Sequence, residues 1–238
     1  MRLVYQNAII VAMRKVTVIK WDGRKEPYDQ NKVITSLVRA GVSQSDLDRL
    51  LTEIEGQLTN PITTKCLFEI IDTGLTLYKL EKPRELYHLR DKLAAMNPFD
   101  FEKYVQQLLQ DEGYQCEWNV VVPGFWVEHQ IDVIAYKNNN TIMVEVKHHD
   151  NPHRLTGLGD ACELWARLED LQHGYQASKN PYNFTQAWLV VNTKFSDHAI
   201  RYAKGKGLWL TGWRYHLDGN GVEEKDGLEK KGERQFLI

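Results

Sequence analysis

Two apolar segments separated by Lys137-Asn138-Asn139-Asn140 constrain this chain more than any other feature. The first carries Asp132. In the second, Thr141, Met143, Glu145 and Lys147 alternate with Ile142, Val144 and Val146. Successive side chains of a strand point to opposite faces, so the alternation predicts a strand with an acid and an amine on one face and aliphatics on the other. Opposed residues of an antiparallel hairpin share a face. A two- or four-residue loop therefore brings Asp132 onto the face of Glu145 and Lys147.

Two carboxylates and an amine at one place suit phosphodiester hydrolysis, which needs charge neutralised on the phosphate and a water made nucleophilic near neutral pH. Carboxylate oxygens holding Mg²⁺ (or Mn²⁺) can supply both. Asp132 and Glu145 are the expected metal ligands, and with Lys147 the expected catalytic residues. Lys147 either holds the scissile phosphate or, with a lowered pKa, orients and helps deprotonate the water. An acid-any-lysine triplet arises by chance roughly once in a chain of this length. Two more begin at Glu223 and Glu229 in a polar, Gly-containing tail without aliphatic alternation, and read as solvated charges. The competing reading of Glu145 and Lys147 themselves is an ion pair on an exposed strand.

Residues 98–109 form an amphipathic helical pattern, followed by Gly113-Tyr114 and a strand-like segment from Cys116 to Val122. With Asp132, Glu145 and Lys147 downstream, this order resembles the Mrr-like branch of the restriction-endonuclease-like, PD-(D/E)xK, nucleases over roughly residues 97–217. Phe101, Glu102, Gly113 and Tyr114 match the family's first helix and turn. Residues 188–193, 195–203 and 207–210 match its next strand, helix and last core strand. The resemblance implies that Glu102 and Glu128 are auxiliary site residues; the bland alternative is that they are surface acids on a helix and a loop. The chain departs from the family where Val127, His129 and Gln130 replace glycines, and where Glu145 stands in place of the Gln of many members.

The apolar share of 42% and a length of 238 residues suffice for a proper core and fit two domains. No apolar run approaches a membrane span, no signal peptide is convincing, and a cytoplasmic protein without membrane contact is expected. Cys66, Cys116 and Cys162 lie far apart in apolar surroundings and read as reduced packing residues. Residues 1–96 carry a formal charge of +3 and residues 97–238 of −5. DNA, the expected partner, would therefore be held by a local patch rather than a global field. Arg154, Arg167 and Lys194 are the candidate DNA contacts. Arg167 lies on the helical run 164–171 and is expected to face the phosphate backbone, with an intrahelical pair to Asp170 or Glu163 as the alternative.

Upstream, residues 16–20 are strand-like, Asp22-Gly23 is a hairpin signal, and Glu26-Pro27-Tyr28 leads into a helix whose first turn holds Asp29. Helical spacing then recurs in Val33, Ile34, Leu37 and Val38, in Leu47, Leu50, Leu51, Ile54 and Leu58, and in Ile70, Ile71, Gly74 and Leu75. The expected unit is a short hairpin capped by about four helices. Residues 18–33 resemble the ATP-cone, the nucleotide-sensing module at the front of many ribonucleotide reductases and of their repressor, and the resemblance extends to about Arg90. It implies that Val18, Lys20, Glu26, Asp29 and Lys32 contact ATP or dATP, and that a homo-oligomer forms through the cone. Trp21 stands where most cones have a second cation. A helical interaction domain with a solvated basic hairpin is the bland alternative.

The expected fold is thus a two-domain α/β chain: an extension over 1–15, an ATP-cone over 16–96, a restriction-endonuclease-like mixed sheet flanked by helices over 97–217, and a poorly ordered polar tail over 218–238. Met96-Asn97 is a junction too short for a flexible tether. The expected function is a metal-dependent DNA endonuclease regulated by ATP or dATP, in defence or repair. The alternatives are a catalytically silent, nucleotide-responsive DNA-binding regulator and a cone-driven assembly scaffold.

Overall fold

A computed structural model describes residues 16–218, 221–224 and 226–235. The N-terminal extension, its Met13, and Phe236, Leu237 and Ile238 lie outside the described residues. The chain forms two compact units that divide between His88 and Leu89.

In the first unit, β1 (Thr17–Ile19) and β2 (Lys25–Pro27) form the expected hairpin. Its turn closes through Lys20 N to Arg24 O at 2.8 Å, and Gly23 takes φ +82°, which glycine adopts without a Cβ penalty. Asp29 caps α1 (Gln30–Arg39) rather than lying inside it, accepting from Asn31 N at 3.0 Å. Next come α2 (Gln44–Gly56), β3 (Ile62–Thr63), α3 (Thr64–Leu77) and α4 (Glu81–Tyr87). The predicted periodicities hold for Val33, Leu37, Leu47, Leu50, Ile54, Ile71 and Leu75, buried in one cluster, whereas Val38 is exposed and Leu58 packs instead with Val18 and Ile62. β3 is an addition to the expected hairpin, pairing parallel to β1 through Ile62 opposite Val18.

The second unit begins with α5 (Leu89–Ala95), earlier than the junction expected at Met96. Leu89 and Leu93 pack with Phe101 and Val105 of α6 (Pro98–Asp111), which Asn97 caps. The strands are β4 (Gln115–Pro123), β5 (Glu128–Lys137), β6 (Asn140–Lys147) and, in a separate pair, β7 (Leu155–Thr156). After α7 (Leu158–Gln176) follow β8 (Phe184–Val191), β9 (Lys194–Phe195), α8 (Asp197–Lys206), β10 (Trp209–Gly212), β11 (Tyr215–Leu217), β12 (Glu223–Glu224) and α9 (Gly227–Gln235). The mixed sheet runs β12-β11-β10-β8-β6-β5-β4. Leu164, Leu168 and Leu171 of α7 and Ala199 and Ala203 of α8 cover one face, and Phe101, Val105 and Leu228 cover the other.

The tail differs from expectation. Leu228 is buried, Arg214 pairs with Glu229 through Nε at 2.7 Å and Nη2 at 2.5 Å, and Glu229 N donates to Trp213 O at 3.0 Å. One buried leucine and a shielded ion pair are enough to dock a short helix that composition reads as polar. Glu229 is therefore not the solvated charge the sequence suggests. Cys66 is exposed, so its expected packing role does not hold. Among the described residues no helix is long and apolar enough to cross a membrane.

Candidate functional site

The β5–β6 hairpin closes on a two-residue loop, since Lys137 pairs with Asn140 while Asn138 and Asn139 take φ +50° and +63°. Both central residues at positive φ are what the twist of a tight hairpin demands, and Asn tolerates them. The ladder then runs back only to Val133 opposite Val144. One step further the same register sets Asp132 against Glu145, where the two strands part.

At that step the side-chain alternation of β5 slips. Ile131 packs with Ile134 in the α7-side cluster, whereas Val133 and Ala135 pack on the α6 side. Across the sheet, Asn119 of β4 takes φ +55° and drops out of the β4–β5 ladder. Asp132 is thereby turned toward β6, where its Oδ2 accepts from Val146 N at 2.7 Å.

On β6 the predicted faces hold: Val144 and Val146 enter the α6-side core, while Glu145 and Lys147 meet α7. Lys147 Nζ lies 2.8 Å from Glu145 Oε1 and 3.8 Å from Glu163. Arg167, with its side chain only 16% exposed, donates to Glu145 Oε2 and to the Gln130 carbonyl. This is neither the open DNA-facing placement nor the intrahelical pair that the sequence suggests: Arg167 belongs to the electrostatics of the site. Glu163 and Arg167 stand at i and i+4 on α7, so one helix face supplies both, a spacing visible in the sequence.

Glu145 is 5% exposed and is held by two cations. Burial, then the charges of Glu145 and Glu102, push the Asp132 carboxyl up to about 7, against the Val146 amide and Arg167. Glu102, half-buried on α6, is likewise raised, first by burial and also by Glu145. Burial pulls Lys147 down, but Glu145 and Glu163 outweigh it and leave its pKa raised. The two carboxylates thus favour the charged form of the Lys147 amine. Glu128 is exposed at the start of β5 and is not brought to the pair, standing about 13 Å away along the strand from Asp132. Among the described residues no three His, Cys, Asp or Glu side chains form a metal-holding group.

The other two candidate DNA cations lie at the β7–β9 pair, Lys194 on β9 and Arg154 just before β7. Leu155 pairs with Lys194, which puts the exposed Arg154 beside that edge. The histidines after Lys147 go separate ways: His148 Nε2 meets the Leu93 carbonyl at 3.0 Å and His149 Nε2 meets Thr156 Oγ1 at 3.2 Å.

In the first unit, Glu26 gathers two of the expected nucleotide residues, with Lys32 Nζ at 3.0 Å and Lys20 Nζ at 3.3 Å from Oε2. The hydrogen bonds from Lys32 and Lys20 hold the Glu26 carboxyl below its ordinary range. Val18 is buried under the hairpin, Asp29 is occupied as the α1 cap, and Trp21 is 59% exposed.

A family model described as restriction endonuclease matches residues 93–212, and one described as ATP cone domain matches residues 16–78. An uncharacterized protein of Archaeoglobus fulgidus is 40% identical over 124 residues, 52% of this chain and 62% of that protein. Proteins named transcriptional repressor NrdR are also similar. The one from Fervidobacterium nodosum is 26% identical over 41% of this chain and 67% of its own length. The one from Rippkaea orientalis is 33% identical over 32% of this chain and 44% of its own length. A crystal structure of a protein of unknown function shares 35% identity with a TM-score of 0.50, over 58% of this chain and 67% of that one. The chain spans less than two thirds of the length of the archaeal relative.

Proposed function

The chain belongs to the restriction endonuclease family and carries an ATP cone in front of that domain, and we propose that it is a metal-dependent DNA endonuclease regulated by ATP or dATP. The observation that carries the reading is the Asp132 carboxylate accepting from Val146 N at 2.7 Å, close enough to feel the charge of Glu145, with Lys147 on the same face as Glu145. A buried carboxyl lifted to about 7 by burial and by two neighbouring acids fits a divalent cation, which would relieve that repulsion. Asp132 and Glu145 would hold it. When bound, such an ion polarises the phosphate and lowers the pKa of water.

The chain's own groups supply the rest. Lys147, kept charged by Glu145, offers a compact cation to the scissile phosphate. Arg167 fixes Glu145 and stays at the site's rim as a second positive charge. Glu102, its carboxyl raised, is suited to hold a proton near the pair. Arg154 and Lys194 would engage the DNA backbone beyond the strand ends.

Nucleotide control has a covalent route. α4 ends at Tyr87 and α5 begins at Leu89. From α5, Arg90 donates to the Pro152 carbonyl and the Leu93 carbonyl accepts from His148, the residue after Lys147. The segment that follows the cone thus grips the loop that follows the catalytic strand. A triphosphate drawing Lys20 and Lys32 off Glu26 would act along this route, and on self-association, to the extent that it binds two states of the chain unequally.

The test is incubation of supercoiled and linear plasmid with Mg²⁺ or Mn²⁺, with and without ATP or dATP. Metal-dependent cutting at a rate that changes with nucleotide is expected. The rival reading, a silent nucleotide-responsive DNA-binding regulator, draws on Glu145 being already held by two cations, and predicts binding without cutting.

A further inference from the structure

The turn between β4 and β5 is tied to α7 and the segment after it at almost every residue. The Asp170 carboxylate accepts from Trp126 N at 2.9 Å, Val127 N at 3.4 Å and His129 Nε2 at 2.8 Å, and the Asp170 carbonyl accepts from Phe125 N at 2.9 Å. Lys179 Nζ donates to Phe125 O at 2.6 Å and Asn180 Nδ2 to Pro123 O at 2.8 Å. The backbones touch closely: a Cβ on Gly124 would meet Asp170 Oδ2 at 2.0 Å, and one on Gly174 would meet the Gly124 carbonyl carbon at 2.7 Å. This fixation acts on the backbone of the turn. Here it leaves the Trp126 indole 80% exposed, edge-on to Phe125 with centroids 4.8 Å apart.

Beside the indole lies an open cavity of about 420 Å³, lined among others by His129, Glu163, Arg167, Glu169 and His173. Arg167 joins it to the active site, because the same guanidinium bonds Glu145. The charges decide what the groove receives. Of the three lining acids, Asp170 is taken up by His129 and the turn amides and Glu163 has Lys147 at 3.8 Å, while Glu169 adds negative charge and the one arginine is already bound to Glu145. With no free cation offered by Arg167, the groove disfavours a phosphate and suits an uncharged ring with hydrogen-bond donors.

We propose that Trp126 is a rigid stacking platform for one unpaired nucleobase of the DNA substrate, whose edge enters the groove beside Arg167. This rests on the nuclease reading for the presence of DNA. An indole face stacks on any base, and its fixation by Asp170 means that little side-chain or loop freedom is lost on binding.

The test uses the full chain in metal-free buffer, so that nothing is cut. Binding of fluorescent duplexes carrying a single unpaired base, and of the same duplexes with an abasic residue there, is compared for the parent, Trp126→Ala and Trp126→Phe. Trp126→Ala should weaken binding to the base-bearing duplex about tenfold or more, Trp126→Phe should keep most of it, and the abasic duplex should bind parent and Ala variant alike. Trp126 is exposed, so neither variant threatens the fold. Equal binding of the base-bearing duplex by parent and Trp126→Ala overturns the proposal alone. Failure of the parent to bind any DNA overturns the nuclease reading with it.

Discussion

Glu26 in the cone and Glu145 in the nuclease sheet each sit between two cations, and they differ in how much water reaches them. Glu26 shares an exposed surface with Lys20 and Lys32, whose side chains are 27% and 63% exposed. Glu145, its side chain 7% exposed, is clasped by Lys147 and by Arg167 at 16%. Water screens the first arrangement, so its pairs contribute little to stability and leave the two lysines open to the triphosphate proposed to replace the carboxylate as partner. In the second, desolvation raises the stakes: a buried charge stripped of its partner costs roughly 3–5 kcal/mol. The same three charges make an exchangeable surface in one unit and a fixed electrostatic frame in the other.

The largest effect should be on chemistry. Lys147→Ala removes the cation proposed to meet the scissile phosphate and should lower the plasmid cutting rate by a hundredfold or more, on the scale of several kcal/mol of transition-state charge stabilisation. A parental rate would return Lys147 to a plain ion pair. Next comes stability. Arg167→Ala, which leaves Glu145 with Lys147 alone, should lower the unfolding free energy by up to about 3–5 kcal/mol, read by urea denaturation, whereas Lys32→Ala should leave it nearly unchanged. Equal losses would erase the contrast between the two glutamates.

Asp132 supplies a smaller effect of opposite sign. Its carboxyl titrates at about 7 in the folded chain against an ordinary value of 3.8, so the folded state holds the proton more tightly. Stability in metal-free buffer should therefore fall as pH rises from about 4 to about 7 and level off above. Asp132→Asn should remove that slope and stabilise the chain at neutral pH by a few kcal/mol at most, on the order set by the shift. A steeper slope in the variant would contradict the origin given for the raised carboxyl. Smallest in stability is the double variant Lys20→Ala, Lys32→Ala, which should fold normally yet lose ATP and dATP binding by calorimetry. Retained binding would remove these lysines from the nucleotide site.

Much of this was legible from period and turn chemistry. The two-residue Asn138-Asn139 loop and the alternation of residues 141–147 are local signals, and they were sufficient to set the β5–β6 register and to put Glu145 and Lys147 on one face. The helical spacing of aliphatic residues in α1, α2 and α3 identified the first unit's core for the same reason. What escaped depends on contacts distant in sequence. β3 is two residues long and exists because Ile62 meets Val18. α9 docks through Leu228 and the Arg214–Glu229 pair in a stretch whose composition is that of a solvated tail. The Arg167–Glu145 contact spans 22 residues and needs α7 laid across the sheet, so helical periodicity offered only local partners. The slip at Asp132, opposite a positive-φ Asn119, has no signature in hydrophobic pattern at all.

The most direct test of the account is the initial rate of supercoiled-plasmid nicking in Mg²⁺ by the parent and by Asp132→Asn, with the fold of both checked by circular dichroism. The account predicts nicking by the parent and loss of at least a hundredfold in the folded variant, which keeps its DNA affinity. Parental nicking by Asp132→Asn would contradict it, because the carboxylate opposite Glu145 would then have no part in the reaction.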